Sequence, residues 1–191
     1  MNGEGSVENA GREITGRVRN SANARICAWI IRTSADWIQA ILEHVPPNCI
    51  AAWFCYLGCF AAVADVSIDA QNRVTVHQIW VAGDIGGQII NPAAAENLAF
   101  GGIIEGMSHM GQEITLVDSN IQQSNFHNHP VMRMKQAPKI EVFWRKTDYA
   151  PTGLGEPTLP PTLPAVSNAI FAATGKRIRT LPLQRSGFNW A

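Results

Sequence analysis

Residues 62–79 read AVADVSIDAQNRVTVHQI, and the fold class turns on this stretch. Ala64, Val66 and Ile68 alternate with Asp65, Ser67 and Asp69, so an extended chain would carry its apolar side chains on one face and its polar ones on the other. Asp69-Ala-Gln-Asn72 supplies turn-forming residues, after which Val74, Val76 and Ile79 resume the apolar positions. The stretch predicts a β-hairpin.

Downstream, the pattern changes period. After a loop at Gly83–Gly87, Asn91-Pro92 predicts a helix start, because Asn can accept an early backbone N–H and Pro suits the first turn. Ala95, Leu98, Ala99, Gly102, Ile103, Gly106, Met107 and Met110 then follow the helical spacing up to Gly111. Gly101, Gly102 and Gly106 each cost a helix roughly 1 kcal/mol relative to Ala. Tight packing of the helix on a sheet is the expected compensation, ahead of contact with a ligand. Next come a second hairpin (Glu113 to Val117, a turn at Asp118-Ser-Asn120, then Ile121 onward) and a strand at Ile140–Trp144. A second helix is expected from about Pro164 to Thr174, stopped by Gly175, and then a short apolar strand from Thr180 to Leu183. The class is α+β, with β-hairpins packed against two main helices.

Upstream, residues 1–24 are rich in Gly, Asn, Ser, Glu and Arg and read as a disordered leader. Residues 25–61 form a dense apolar segment, loosely helical in spacing around Ile30, Ile31, Trp37, Ile38, Ile41 and Leu42. This segment is expected to pack less well than the unit at 62–183, and residues 184–191 read as a tail. Lys plus Arg and Asp plus Glu are 15 each, so there is no net charge to draw in nucleic acid. The apolar run Cys49–Val63 is too short to span a bilayer, and no export signal is evident, so a cytoplasmic chain without a membrane span is expected. Cys27, Cys49, Cys55 and Cys59 lack metal-site spacing, and Cys55 with Cys59 read as small apolar residues on one helix face. His127 and His129 read as solvated loop residues, and no metal ligand is proposed.

The most peculiar stretch is Pro151-Thr-Gly-Leu-Gly-Glu-Pro157. Gly153 and Gly155 let the backbone adopt unusual conformations or approach a ligand closely, and Pro157 restricts the exit from Glu156. A carboxylate held in this way is either a positioned general base or a solvated group on a surface turn, and the residues by themselves favour the solvated turn, because Gly-x-Gly-Glu is short and lacks the strand-then-helix context of a nucleotide fingerprint.

Six segments together carry a resemblance. They are Val63-Ala-Asp-Val-Ser-Ile-Asp69, Ile90-Asn-Pro92, Gly111-Gln-Glu-Ile-Thr115, Gln122-Gln-Ser-Asn-Phe126, Thr152-Gly-Leu-Gly-Glu-Pro157 and Asn168-Ala-Ile-Phe-Ala-Ala-Thr-Gly-Lys-Arg-Ile-Arg179. In this order the chain from about Tyr56 to Leu183 resembles the C-terminal end of the large subunit of isoquinoline 1-oxidoreductase-like aldehyde dehydrogenases, within the xanthine dehydrogenase family. Residues 1 to about 54 do not resemble that family, and the apolar segment 25–61 is read as lying outside it.

The resemblance implies a fragment of a molybdenum-binding domain. It implies a molybdopterin cofactor, as such or in a dinucleotide form, with iron–sulfur clusters on a small 2Fe–2S partner subunit. It further implies the remainder of a large subunit as a second partner, an aldehyde or N-heterocycle as substrate, and full-length relatives that in some cases are periplasmic. Glu156 would be the general base beside the metal, with Gly153, Leu154 and Gly155 bringing the loop up to the cofactor. The rival expectation is a non-catalytic truncated relic or assembly module, in which Glu156 is a loop carboxylate.

Overall fold

The computed structural model describes residues 49–191. In chain order its elements are β1 (Ile50–Cys55), β2 (Gly58–Ile68), β3 (Arg73–Asp84) and α1 (Pro92–Gly111). Then come β4 (Leu116–Val117), β5 (Asn120–Ile121), β6 (Lys139–Arg145), α2 (Leu159–Thr174) and β7 (Asn189–Trp190). The expected hairpin, β2 and β3, is the middle of a five-stranded sheet. β1 runs antiparallel outside β2, while β6 and β7 both run parallel to β3 along its other edge. α2 lies across β1 and β2, and α1 lies against α2.

The hairpin turn is built as its residues suggest. Asp69 Oδ1 accepts the backbone N–H groups of Gln71 and Arg73, both at 2.9 Å, and Asp69 Oδ2 accepts Arg73 Nε at 2.7 Å. The Arg73 backbone N–H does most to hold the Asp69 carboxyl below its usual range. Asn72 takes the left-handed conformation that Asn tolerates, at φ 57°. Farther along, the pairing shifts between Asp65 and Val66, leaving His77 as an extra residue on β3, with its Nε2 2.7 Å from Ser67 Oγ. Across the sheet Phe60, Gly83 and Trp144 stand in one row, and the two rings close over the glycine: a Cβ there would fall 2.8 Å from each.

α1 begins as expected, with Asn91 Oδ1 accepting Ala94 N–H at 3.1 Å. Its glycines, however, face a helix rather than a sheet. A Cβ on Gly102 would sit 2.5 Å from Thr158 Oγ1, and one on Gly106 would sit 3.1 Å from Leu159 O. The two helices touch through bare backbone because the large side chains of α1, Ile103, Met107 and Met110, are turned into the core.

Other expectations need correction. α2 starts at Leu159, ahead of the expected Pro164, because Pro160 and Pro161 occupy its first turn, where a missing N–H costs nothing. Thr180–Leu183 is not a strand: Pro182 has no N–H to offer a ladder, and Leu183 opens a 3-10 turn, Leu183–Ser186. The second hairpin keeps its place but shrinks to two residues on each side, with Asp118 and Ser119 both at positive φ in the turn. Cys55 and Cys59 lie on paired strands rather than one helix, and burial, with Asp65 nearby, pushes the Cys49 thiol up to about 11.

Of the apolar segment 25–61, the described part from 49 is an integral hairpin, with Cys49 and Ile50 in the main core. The rest of it, and the leader at 1–24, lie outside the described residues. Residues 184–191 carry β7 and bury Phe188 to 3% exposure. Among the described residues no helix is long and apolar enough to cross a membrane.

The two neighbouring glycines of α1 make opposite predictions. Gly101 has open space where a Cβ would stand, so Gly101→Ala should stabilise the chain by about 0.5–1 kcal/mol. Gly102→Ala should destabilise it by about 1–3 kcal/mol, because the new methyl meets Thr158. Denaturant midpoints that move in the same direction would contradict the packing described.

Candidate functional site

β3 and β6 are parallel, so both end at the same edge of the sheet, with Asp84 opposite Arg145. The chain leaving β3 and the chain leaving β6 therefore emerge side by side, at the kind of edge where sheets with parallel strands tend to place ligands.

These two exits are laced together. Asp84 is buried at 4% exposure, and its Oδ1 accepts Gly86 N–H at 3.0 Å and the Thr147 hydroxyl at 2.8 Å. Gly87 N–H donates to Tyr149 O at 3.0 Å, and Thr152 N–H donates to Ile85 O at 2.9 Å. Gly86 sits at φ +99°, and a Cβ there would fall 2.6 Å from Ala150 O. Only glycine satisfies both the angle and the contact.

Beyond this lacing lie the residues singled out on the sequence. Gly153 is exposed and passes over Tyr56, whose Cβ is 3.5 Å from where a Cβ on Gly153 would stand. Leu154 is half-buried and packs against the main core. Gly155 is exposed, and a Cβ placed on it would meet nothing within 4 Å. Neither Gly153 nor Gly155 uses a left-handed φ, so what they contribute is bare backbone rather than unusual angles.

Glu156 opens a tight turn. Its carbonyl accepts Leu159 N–H at 2.9 Å, Pro157 holds the second position, and Thr158 follows at φ −83°, ψ −17°, close to a type I turn. The backbone of Glu156 is therefore held, with Pro157 and Thr158 buried directly behind it. Its carboxylate is exposed and has no hydrogen-bond or ion-pair partner among the described residues.

The structure thus keeps the four residues on one loop and gives Leu154 the part of an anchor. Asp84, Gly86, Thr147 and Thr158 complete the support, and sequence reasoning did not single them out. The available signal was Asp84 ending an apolar strand two residues before a Gly-Gly pair. His129 lines a separate groove of about 730 Å³ with Phe100, Ile104, Met132 and Ile140, and Glu156 is not part of its wall.

Residues 31–138 match the molybdopterin cofactor-binding domain. The chain belongs to that family. The match takes in part of the 25–61 segment, β1 to β3 and α1, and ends before β6 and the loop that carries Glu156. Over 126 residues the chain is 34% identical to isoquinoline 1-oxidoreductase subunit beta of Brevundimonas diminuta, covering 65% of the chain and 16% of that protein. It is 30% identical over 128 residues to the xanthine dehydrogenase molybdenum-binding subunit of Escherichia coli O157:H7, covering 62% of the chain and 17% of that subunit. The fold is shared with aldehyde oxidoreductase of Desulfovibrio gigas at a TM-score of 0.53 and 28% identity, over 65% of the chain and 14% of that structure. The chain therefore spans a small part of the relatives it matches. By name those relatives are oxidoreductases, and one is a molybdenum-binding subunit.

The loop leaves room for a bulky cofactor at its rim. Gly155 presents backbone with open space beside it, and Thr152 Oγ1 is buried without a partner next to the Gly153 crossing. Gly153, Gly155 and Thr152 are the residues that could meet such a group.

The lacing is testable apart from any cofactor. Asp84→Ala removes the acceptor of a buried N–H and a hydroxyl and should cost about 1–3 kcal/mol, measured by chemical denaturation. Asp84→Asn retains an acceptor and should cost less. Equal stability of all three proteins would show that the loops do not depend on this residue.

Proposed function

We propose that the chain is the C-terminal part of the large subunit of a molybdenum hydroxylase acting on an aldehyde or N-heterocycle, with Glu156 as its general base. One observation carries the reading: a carboxylate without partners is held on a locked backbone, four residues beyond the lacing that joins the exits of two parallel strands, in a chain of the molybdopterin cofactor-binding domain family.

When bound, the molybdenum pterin cofactor supplies the redox chemistry that protein side chains lack. The chain's own part is to bring bare backbone at Gly153 and Gly155 up to that group, to anchor the loop through Leu154 in the core, and to accept a proton at the Glu156 carboxylate. In this reading the iron–sulfur clusters that take the electrons lie on a small 2Fe–2S subunit, and no cysteine after Cys59 offers this chain a ligand for one. Ile114, Leu116, Val117, Ile121, Phe126 and Met134 are exposed apolar residues that the rest of a large subunit would cover. A dinucleotide form of the cofactor belongs to the same reading.

The test uses a large subunit completed by this chain, with cofactor and small subunit bound. Glu156→Gln should lower kcat by about 10²- to 10⁴-fold with molybdenum content unchanged, since Gln keeps the volume but cannot take the proton. Gly155→Val should instead lower cofactor content, because it fills the open space beside the backbone. Wild-type turnover by the Gln variant with molybdenum bound would return Glu156 to an ordinary loop carboxylate.

A further inference from the structure

Thr158 stands where a helix usually places its capping side chain, yet it makes no capping bond. The reason lies in the residues after it. Pro160 and Pro161 have no N–H, and Leu159 N–H is already bonded to Glu156 O, so three of the donors that normally need a cap are absent or used. The hydroxyl is therefore free, and it donates to Ala99 O of α1 at 2.9 Å.

Burial and space agree that this bond is built. Thr158 is 1% exposed, and Thr162, itself fully buried, returns its own hydroxyl to Thr158 O at 2.8 Å. The absent side chain of Gly102 leaves the room that Thr158 Oγ1 occupies. A hydrogen bond in so dry a position is worth more than one at the surface.

Thr158 is the third residue of the turn that Glu156 opens, so its side chain ties that turn to α1. We infer that Thr158 is a positioning residue for Glu156, holding the carboxylate's backbone through the bond to Ala99 and through the space left by Gly102. The assignment rests on the proposed role of Glu156 for its catalytic consequence, but the mechanical part stands without it.

Two measurements separate these parts. In the 191-residue chain, hydrogen exchange of peptides covering 153–163 should accelerate by about tenfold in Thr158→Val, while peptides of β2 and β3 keep their protection. Thr158→Ser, which retains the hydroxyl, should recover most of the difference, and Gly102→Ala should imitate Val by pushing on the same oxygen. Unchanged exchange at 153–163, or a rise spread evenly over the sheet, would overturn the inference.

In the completed, cofactor-loaded enzyme, Thr158→Val should lower kcat by about tenfold with KM and molybdenum content unchanged, and should add nothing to Glu156→Gln. If Glu156→Gln abolishes turnover while Thr158→Val alters neither kcat nor exchange, the positioning role fails and the general base stands. If Glu156→Gln turns over normally while exchange responds as stated, the general base fails and the mechanical tie stands.

Discussion

The parallel pairing of β3 with β6 is the constraint on which the rest of the structure depends. Parallel strands cannot be joined by a tight turn, so the chain between Asp84 and Lys139 must travel back along the sheet, and α1 provides most of that return. Once the strands are parallel, their exits share an edge, and residues 63 positions apart, Asp84 and Thr147, come within hydrogen-bond distance. The carboxylate of Asp84 then does for the two exits what a turn does within a hairpin. The chain from Thr147 to Thr152 takes its placement from that pairing.

The second support comes from outside the sheet. α2 covers β1 and β2 with Val166, Ala169 and Ile170, while its first residues meet α1 through Gly102 and Gly106. Side-chain bonds extend the same connection at the far end of α2: Asn168 Nδ2 donates to Ile50 O at 3.1 Å, and Arg177 donates to Asn168 Oδ1 at 2.9 Å while stacking on Phe171. The segment Asn168–Arg179, which contributed to the family resemblance, is thus a structural tie between the helix, the edge strand and the chain that follows.

Much of this was legible in the residues. The β2–β3 hairpin and α1 could be read because one face of each is buried, so burial imposes a period on the sequence, and because Asp69 and Asn91 are side chains with specific backbone partners. β7 is two residues long, too short for any period to register, whereas the β4–β5 hairpin was read in its place from the turn residues but drawn too long, since two residues per strand give no period that marks its ends. β1 escaped because its apolar run is continuous with the apolar start of β2 and gives no alternation to read. The start of α2 was placed late because prolines suggest interruption, although in a first turn they are harmless. The candidate loop was visible as Gly-Leu-Gly-Glu-Pro, but its supports were not. Asp84, Thr147 and Thr158 matter only through partners distant in sequence, and no local pattern encodes such a pairing.

The central claim is that this chain completes a molybdenum site whose other parts lie on a longer large subunit. The direct measurement is metal analysis of a complex between this chain and a relative's large subunit lacking its own C-terminal portion, made in cells that synthesise the cofactor and purified through a tag on this chain. The account predicts near-stoichiometric molybdenum and pterin in the complex and little in the truncated subunit alone. A stable complex that contains neither would contradict it.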